Sequence, residues 1–134
     1  MLRFDFLPSD FHPRFLMLGE REDLSELANR LEKLARDGHD QELKQPAAED
    51  RAEATLTLSR SAEPAGLRRC AGDCFAWVLS AELANDFAAE IRAVAEGTQP
   101  AGSAVLTVTQ FDLEEIPVWV SQGEFTDSYL INKF

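Results

Sequence analysis

Apolar residues along much of this chain alternate with polar ones, a pattern typical of strands with one buried face. Such alternation predicts strands at 2–6, 54–59, 103–111 and 116–122, and the apolar run "RFLML" predicts a further strand at 14–18. In the last two alternating segments, Leu and Val side chains share one face while Thr, Trp and Ser share the other. We therefore expect a sheet with one buried face and one outer face.

Two segments instead place apolar residues three and four apart, the spacing of an amphipathic helix. The first helix is predicted to begin at a capping Asp23, with Glu26 as its reciprocal partner, and to end at Gly38. The second is predicted over 81–96, with Ser80 as its N-cap and Gly97 after its last turn. Both helices have an apolar side that must pack against another element.

This order of elements predicts a single α+β domain over residues 1–134, with the two helices packed on one face of a mainly antiparallel sheet of five to seven strands. Phe15 and Phe75 match at an offset of 60 residues, as do Leu31 and Ile91. These matches indicate either a weak internal duplication or simply two amphipathic helices that each follow a strand, and both interpretations give the same order of elements. The predicted core consists of the apolar residues on the inward faces: Phe15, Leu27, Leu31, Leu34, Leu56, Leu58, Phe75, Trp77, Phe87, Ile91, Leu106, Val108, Val118 and Val120.

The segment 39–52 has no clear period and contains Pro46, so it is predicted to be a long polar loop within the domain. Long loops are often functional. Residues 66–80 are predicted to form a hairpin around Ala71-Gly72-Asp73, with Cys70 and Cys74 nearly opposite each other. A structural turn is the interpretation we favour for these two cysteines, over a reversible disulfide or a metal site, because two further ligands are lacking nearby.

The net charge of −11 argues against nucleic-acid binding, which needs clustered Lys and Arg. Residues 81–134 hold nine acidic and two basic residues and so carry most of this charge. No segment resembles a secretory signal or a membrane span, which predicts a cytoplasmic protein without membrane association. Phosphate loops, nucleophile elbows and metal-binding motifs are also missing, so neither a cofactor nor a bound metal is predicted.

Trp119 is expected to lie on the outer face of the sheet, where an aromatic side chain often anchors an interface. Acidic residues flank its strand in two groups: Asp112, Glu114 and Glu115 before it, and Glu124 and Asp127 after it. These residues are the candidate binding site for a basic protein partner. Two alternatives remain open: the acids merely solvate turns, or residues 125–134 cover Trp119. The edge of the predicted sheet also offers a place where a second copy of the chain could pair.

Two classes of function follow from these patterns. The first is a non-catalytic acidic interaction protein, of the immunity or adaptor kind, that binds a basic protein. The second is a small enzyme or ligand-binding protein whose site lies between the His12 loop and the 39–52 loop. His12 follows Asp10 closely, but no nucleophile accompanies them, and His39 is assigned a place at the end of the first helix.

Overall fold

The described part of the chain forms strands and helices in an order that repeats once. The computed structural model describes residues 2–7, 13–47, 53–97, 103–108 and 115–122. The elements over these residues are β1 (Arg3–Leu7), β2 (Arg14–Gly19), α1 (Arg21–Asp37), β3 (Gln41–Gln45), β4 (Ala54–Arg60), β5 (Gly66–Ala71), β6 (Cys74–Leu79), α2 (Ala81–Glu96), β7 (Ser103–Leu106) and β8 (Val118–Gln122). The predicted α+β class is confirmed.

The strands are divided between two four-stranded mixed sheets. Sheet A has the order β1-β2-β8-β7 and sheet B the order β3-β4-β6-β5. In each sheet two antiparallel pairs flank one central parallel pair, β2 with β8 and β4 with β6. The eight described strands therefore form two sheets instead of the one sheet of five to seven expected. Local alternation specifies that a segment is a strand, but it does not specify which distant strand becomes its partner.

The sequence matches at an offset of 60 correspond to a repeated order of elements in the topology. Each half has the order strand, strand, helix, strand, strand, and β2 and α1 begin 60 residues before β6 and α2 respectively. Each sheet combines one hairpin from the first half with one from the second. The rings of Phe15 and Phe75, equivalent residues of the two halves, lie 4.8 Å apart and join the sheets at the centre of the core.

The ends of the helices follow from capping. Ser80 Oγ accepts a hydrogen bond from the backbone N–H of Leu83 at 3.1 Å, as predicted for α2. α1 begins earlier than expected, because Glu20 and not Asp23 is its N-cap, and the Asp23 carboxylate accepts the Glu20 backbone N–H at 2.9 Å. Gly38 and Gly97 follow α1 and α2 in the left-handed conformation, which glycine adopts without steric strain.

Inward side chains of both sheets and the apolar sides of both helices form one main core. All the predicted core residues are buried except Val108, which is half-buried against the same core. Leu106, Val118 and Val120 point inward and Trp119 does not, so the predicted faces of this hairpin are confirmed.

The segment 39–52 is not wholly a loop, which corrects that prediction. Residues 41–45 form β3, antiparallel to β4, although only Leu43 in it is apolar. The strand is held at its end by a polar side chain: Gln45 is 2% exposed, accepts the Phe4 backbone N–H at 2.9 Å and donates to the Phe4 carbonyl at 2.7 Å. An alternation rule based on apolar residues misses a strand stabilised in this way. Residues 48–52 lie outside the described residues.

Two contacts connect the sheets at their edges. The Gln45 side chain of sheet B forms its two hydrogen bonds with the backbone of Phe4, on the edge of β1 that does not pair with β2. The second contact is between Ile116, which precedes β8 of sheet A, and Leu67 of β5 in sheet B. The Ile116 backbone N–H donates to the Leu67 carbonyl at 2.9 Å, and the two residues form an isolated antiparallel bridge. Edge strands β1 and β5 therefore both have backbone groups already paired in the folded chain.

Candidate interaction surface

The outer face of sheet A carries four apolar side chains: Leu16, Leu18, Val105 and Trp119. The register places Trp119 directly between Leu16 of β2 and Val105 of β7. Leu16 and Leu18 are buried, at 3% and 2% exposure, and pack with Trp119 as a small cluster separate from the main core. Val105 is 47% exposed, and no other large hydrophobic residue among those described is exposed. Half-buried Trp119 and exposed Val105 therefore form the accessible part of this face. We call these four residues the outer apolar face.

Trp119 is half-buried at the centre of this face, and a cation fixes one side of its ring. The guanidinium carbon of Arg14 lies 4.9 Å from the ring centroid. This arrangement gives a cation–π attraction of about 0.5–1 kcal/mol at an exposed site. The ring is therefore oriented before any partner arrives, which lowers the entropy lost when an interface forms.

The equivalent face of sheet B is different in character. Offset matching and strand register place Ala76, Thr57 and Glu42 at the positions that Leu16, Trp119 and Val105 occupy in sheet A. Two of those three residues are polar, and Glu42 forms an exposed ion pair with Lys44 at 3.2 Å. Val78, at the position of Leu18, is also apolar, so the two faces differ in the row of Leu16, Trp119 and Val105. A row that is largely polar suffices for this sheet topology, so the apolar row of sheet A is not required by the fold.

Glu115 does not lie on a surface rim, which corrects that part of the predicted site. It is 6% exposed, and its Oε2 accepts the Val108 backbone N–H at 2.5 Å. The carboxylate also fills the space beside Gly66, where an added Cβ would collide with it. Glu115 is therefore a structural residue that packs against Gly66 at the start of β5 and bonds the segment after β7. Asp112, Glu114, Glu124 and Asp127 lie outside the described residues.

The alternative site between two loops gains little from the structure. His12 lies outside the described residues, and His39 is exposed after α1. Among the residues that the structure describes, no three His, Cys, Asp or Glu side chains converge as they would around a metal ion. The part of the 39–52 segment that is described is mostly strand.

Cys70 and Cys74 flank a tight turn, with Cys70 exposed and both thiols free. The turn has two residues, Gly72 and Asp73, where three were predicted, because a bulge at Cys70 shifts the register between Arg69 and Ala71. Partial desolvation of its sulfur raises the pKa of the Cys70 thiol although the residue is exposed, and its hydrogen bond with Cys74 raises that pKa further. A raised pKa favours the thiol over the reactive thiolate.

Sequence reasoning identified Trp119 but not its neighbours Leu16 and Leu18. The apolar run 14–18 is uninterrupted, so it carries no sign of which residues face outward. A strand that is apolar on both faces is itself the available signal, since it indicates that both faces of its sheet make contacts.

Neither described helix is long and apolar enough to cross a lipid bilayer. In comparisons with known proteins, no family model, no curated protein and no solved structure matches this chain.

Proposed function

We propose that this chain is a non-catalytic acidic interaction protein that works in the cytoplasm and binds a basic protein through the outer apolar face of sheet A. The observation that carries the proposal is the contrast between the two sheets. Trp119, Leu16 and Val105 form an apolar row across sheet A, whereas the equivalent row of sheet B is largely polar. Accessible apolar side chains on a sheet's outer face, here those of Trp119 and Val105, mark an interaction site when the fold does not need them there.

The charge of the chain supports a basic partner. Each molecule carries a net charge of −11, and Asp112, Glu114, Glu124 and Asp127 flank the Trp119 strand in sequence. An aromatic residue with acidic residues around it supplies the two parts of a typical interface. Burial of the aromatic slows dissociation, and the charges speed encounter with a partner of opposite sign.

The test is capture from an extract of the cells that make the protein, followed by a binding measurement with the captured protein. The partner should have a basic isoelectric point. Trp119→Ala should weaken its binding by about tenfold or more, mainly through faster dissociation. Thr57→Ala, at the equivalent position of sheet B, is the matched control and should leave the affinity unchanged.

Charge is tested separately from the aromatic contact. Asp112→Lys combined with Glu114→Lys should slow association, and that effect should shrink as salt rises. Trp119→Ala should reduce the free energy of unfolding by only about 1–2 kcal/mol, because the ring is half-buried. An acidic captured partner, or equal affinity of the wild type and Trp119→Ala, would refute the proposal.

A further inference from the structure

The four edges of the two sheets are not equally open. On the free edge of β1, the backbone of Phe4 is hydrogen-bonded by the Gln45 side chain. On the free edge of β5, the Leu67 carbonyl accepts the Ile116 backbone N–H. β3 carries the charged pair Glu42 and Lys44, a common protection against unwanted strand pairing. β7 has neither protection among the described residues: it reads Ser103-Ala104-Val105-Leu106, without a charge or a proline.

β7 also lies beside an acidic flank of α2. The helix packs on β7 and β8, and Arg92 marks the side that faces α1, since it contacts Glu32 at 2.5 Å. Asp86 and Glu90 are exposed and lie about 120° and 160° around the helix from Arg92. They therefore occupy the flank of α2 that is turned away from α1. In the other half, Arg30 of α1, the counterpart of Glu90, contacts β3, the counterpart of β7, which assigns this flank to the side of the β7 edge.

The equivalent positions of α1 show that this acidic flank is not needed for folding. Offset matching pairs Asp86 with Glu26 and Glu90 with Arg30, and Glu26 and Arg30 form an ion pair at 3.5 Å. In α2 the same i, i+4 pair consists of two acids, which repel and slightly destabilise the helix. β3, the counterpart of β7 in sheet B, also contacts its neighbouring helix directly. Gln41 of β3 donates from Nε2 to the Arg30 carbonyl of α1 at 2.8 Å.

From these observations we infer that β7 accepts an extended basic segment of a partner protein as a fifth strand of sheet A. The inference rests on the proposed function and specifies its binding mode, β-strand addition. Side chains alternate between the two faces of an added strand. On one face of the added strand, apolar side chains of the partner extend the row of Trp119 and Val105. On its other face, basic side chains of the partner approach Asp86 and Glu90.

Charge decides between this occupant and a second copy of the chain. Two copies would each bring a net charge of −11, and a symmetric pairing of β7 with β7 would place two acidic α2 flanks near each other. Like charges across an interface oppose association. A basic strand has the opposite effect, because it neutralises the same flank.

The probe for the test is a synthetic hexapeptide that alternates lysine and valine, titrated into the full-length protein. Amide hydrogen exchange should slow at alternate residues of β7 and stay unchanged in β3. A twin peptide with every internal backbone nitrogen methylated keeps the side chains but lacks N–H donors, and it should bind at least about tenfold more weakly.

Two matched sets of variants separate the edge from general charge attraction. Val105→Lys should weaken peptide binding about tenfold, whereas Glu42→Lys, at the equivalent position of β3, should weaken it less than about threefold despite its larger change in charge. Asp86→Asn with Glu90→Gln should also weaken binding clearly more than Glu82→Gln with Glu96→Gln, which removes the same charge elsewhere on α2. Circular dichroism should show that all four variants stay folded, with a slightly higher melting temperature for Asp86→Asn with Glu90→Gln because that pair of changes removes the repulsion.

Several results would overturn the inference. They are an absence of peptide binding, equal binding of the methylated twin, protection of β3 in place of β7, and a dimer of the free chain with β7 already protected. Failure of the inference is distinguishable from failure of the proposed function. If the captured basic protein still depends on Trp119 but leaves the amides of β7 unprotected, the outer face binds it without strand addition, and only the inference falls.

Discussion

Removal of the Gln45 side chain tests how polar contacts hold the two sheets together. Gln45 sits at the end of β3 in sheet B and forms two hydrogen bonds with the backbone of Phe4, on the outward side of β1 in sheet A. These bonds imitate the backbone pairing of an adjacent strand. Gln45→Ala removes both at once, while the surrounding apolar core keeps its side chains.

The size of the effect follows from burial. Phe4 and Gln45 are each 2% exposed, so the freed N–H and carbonyl of Phe4 have little access to water. Leaving a buried donor or acceptor without a partner costs about 1–3 kcal/mol. Two such groups, reduced by partial entry of water into the space left by the side chain, give an expected loss of about 2–4 kcal/mol in the free energy of unfolding.

Urea denaturation followed by circular dichroism measures this loss, and exchange of the Phe4 amide locates it. Gln41→Ala, on the same strand, is the control: it removes one bond from a part-buried side chain and should lose about 0.5–1.5 kcal/mol. Gln45→Glu should become less stable relative to the wild type as the pH rises, because only the protonated carboxyl can donate to the Phe4 carbonyl. A Gln45→Ala loss below about 1 kcal/mol, with Phe4 still protected, would refute the reasoning.

Two further predictions concern the buried indole and the thiols. The Trp77 Nε1 donor is buried and finds no acceptor among the described residues. Trp77→Phe should therefore change the free energy of unfolding by less than about 1.5 kcal/mol, whereas Trp77→Ala should lower it by roughly 3–5 kcal/mol. Thermal melting of the two variants checks both values. Because the pKa of Cys70 is raised, its alkylation by iodoacetamide should reach half-maximal rate at a higher pH than that of a free thiol, and Cys74→Ala should shift that midpoint downward. An unshifted midpoint in the wild type would contradict the assigned contact.

The elements and the core could be predicted because they depend on local patterns. Helical spacing located α2 to the residue, since Ser80 and Gly97 cap it and leave no freedom at its ends. Alternation also identified the inward side of β8, where Val118 and Val120 are fully buried. In these segments the buried face and the secondary structure are encoded within a few neighbouring residues.

Other features could not be predicted because they depend on residues distant in sequence. β3 is held by a glutamine that reaches 41 residues back to Phe4, and no local rule reveals that contact. Glu115 looks like an exposed acid in sequence, yet it is buried where Gly66 leaves room for its carboxylate. The partition into two sheets likewise follows from long-range parallel pairing, which alternation alone does not specify.

The repeat within the chain separates what the fold requires from what it does not. Both halves bury the same kinds of residue on their inner faces, but they differ at two places beside β7. Val105 and Trp119 replace the polar residues Glu42 and Thr57, and the acids Asp86 and Glu90 replace the ion pair of Glu26 with Arg30. Neither change helps an isolated molecule, since one exposes apolar surface and the other places like charges four residues apart. Because both changes border the same strand edge, a single partner that is basic and pairs with β7 accounts for both.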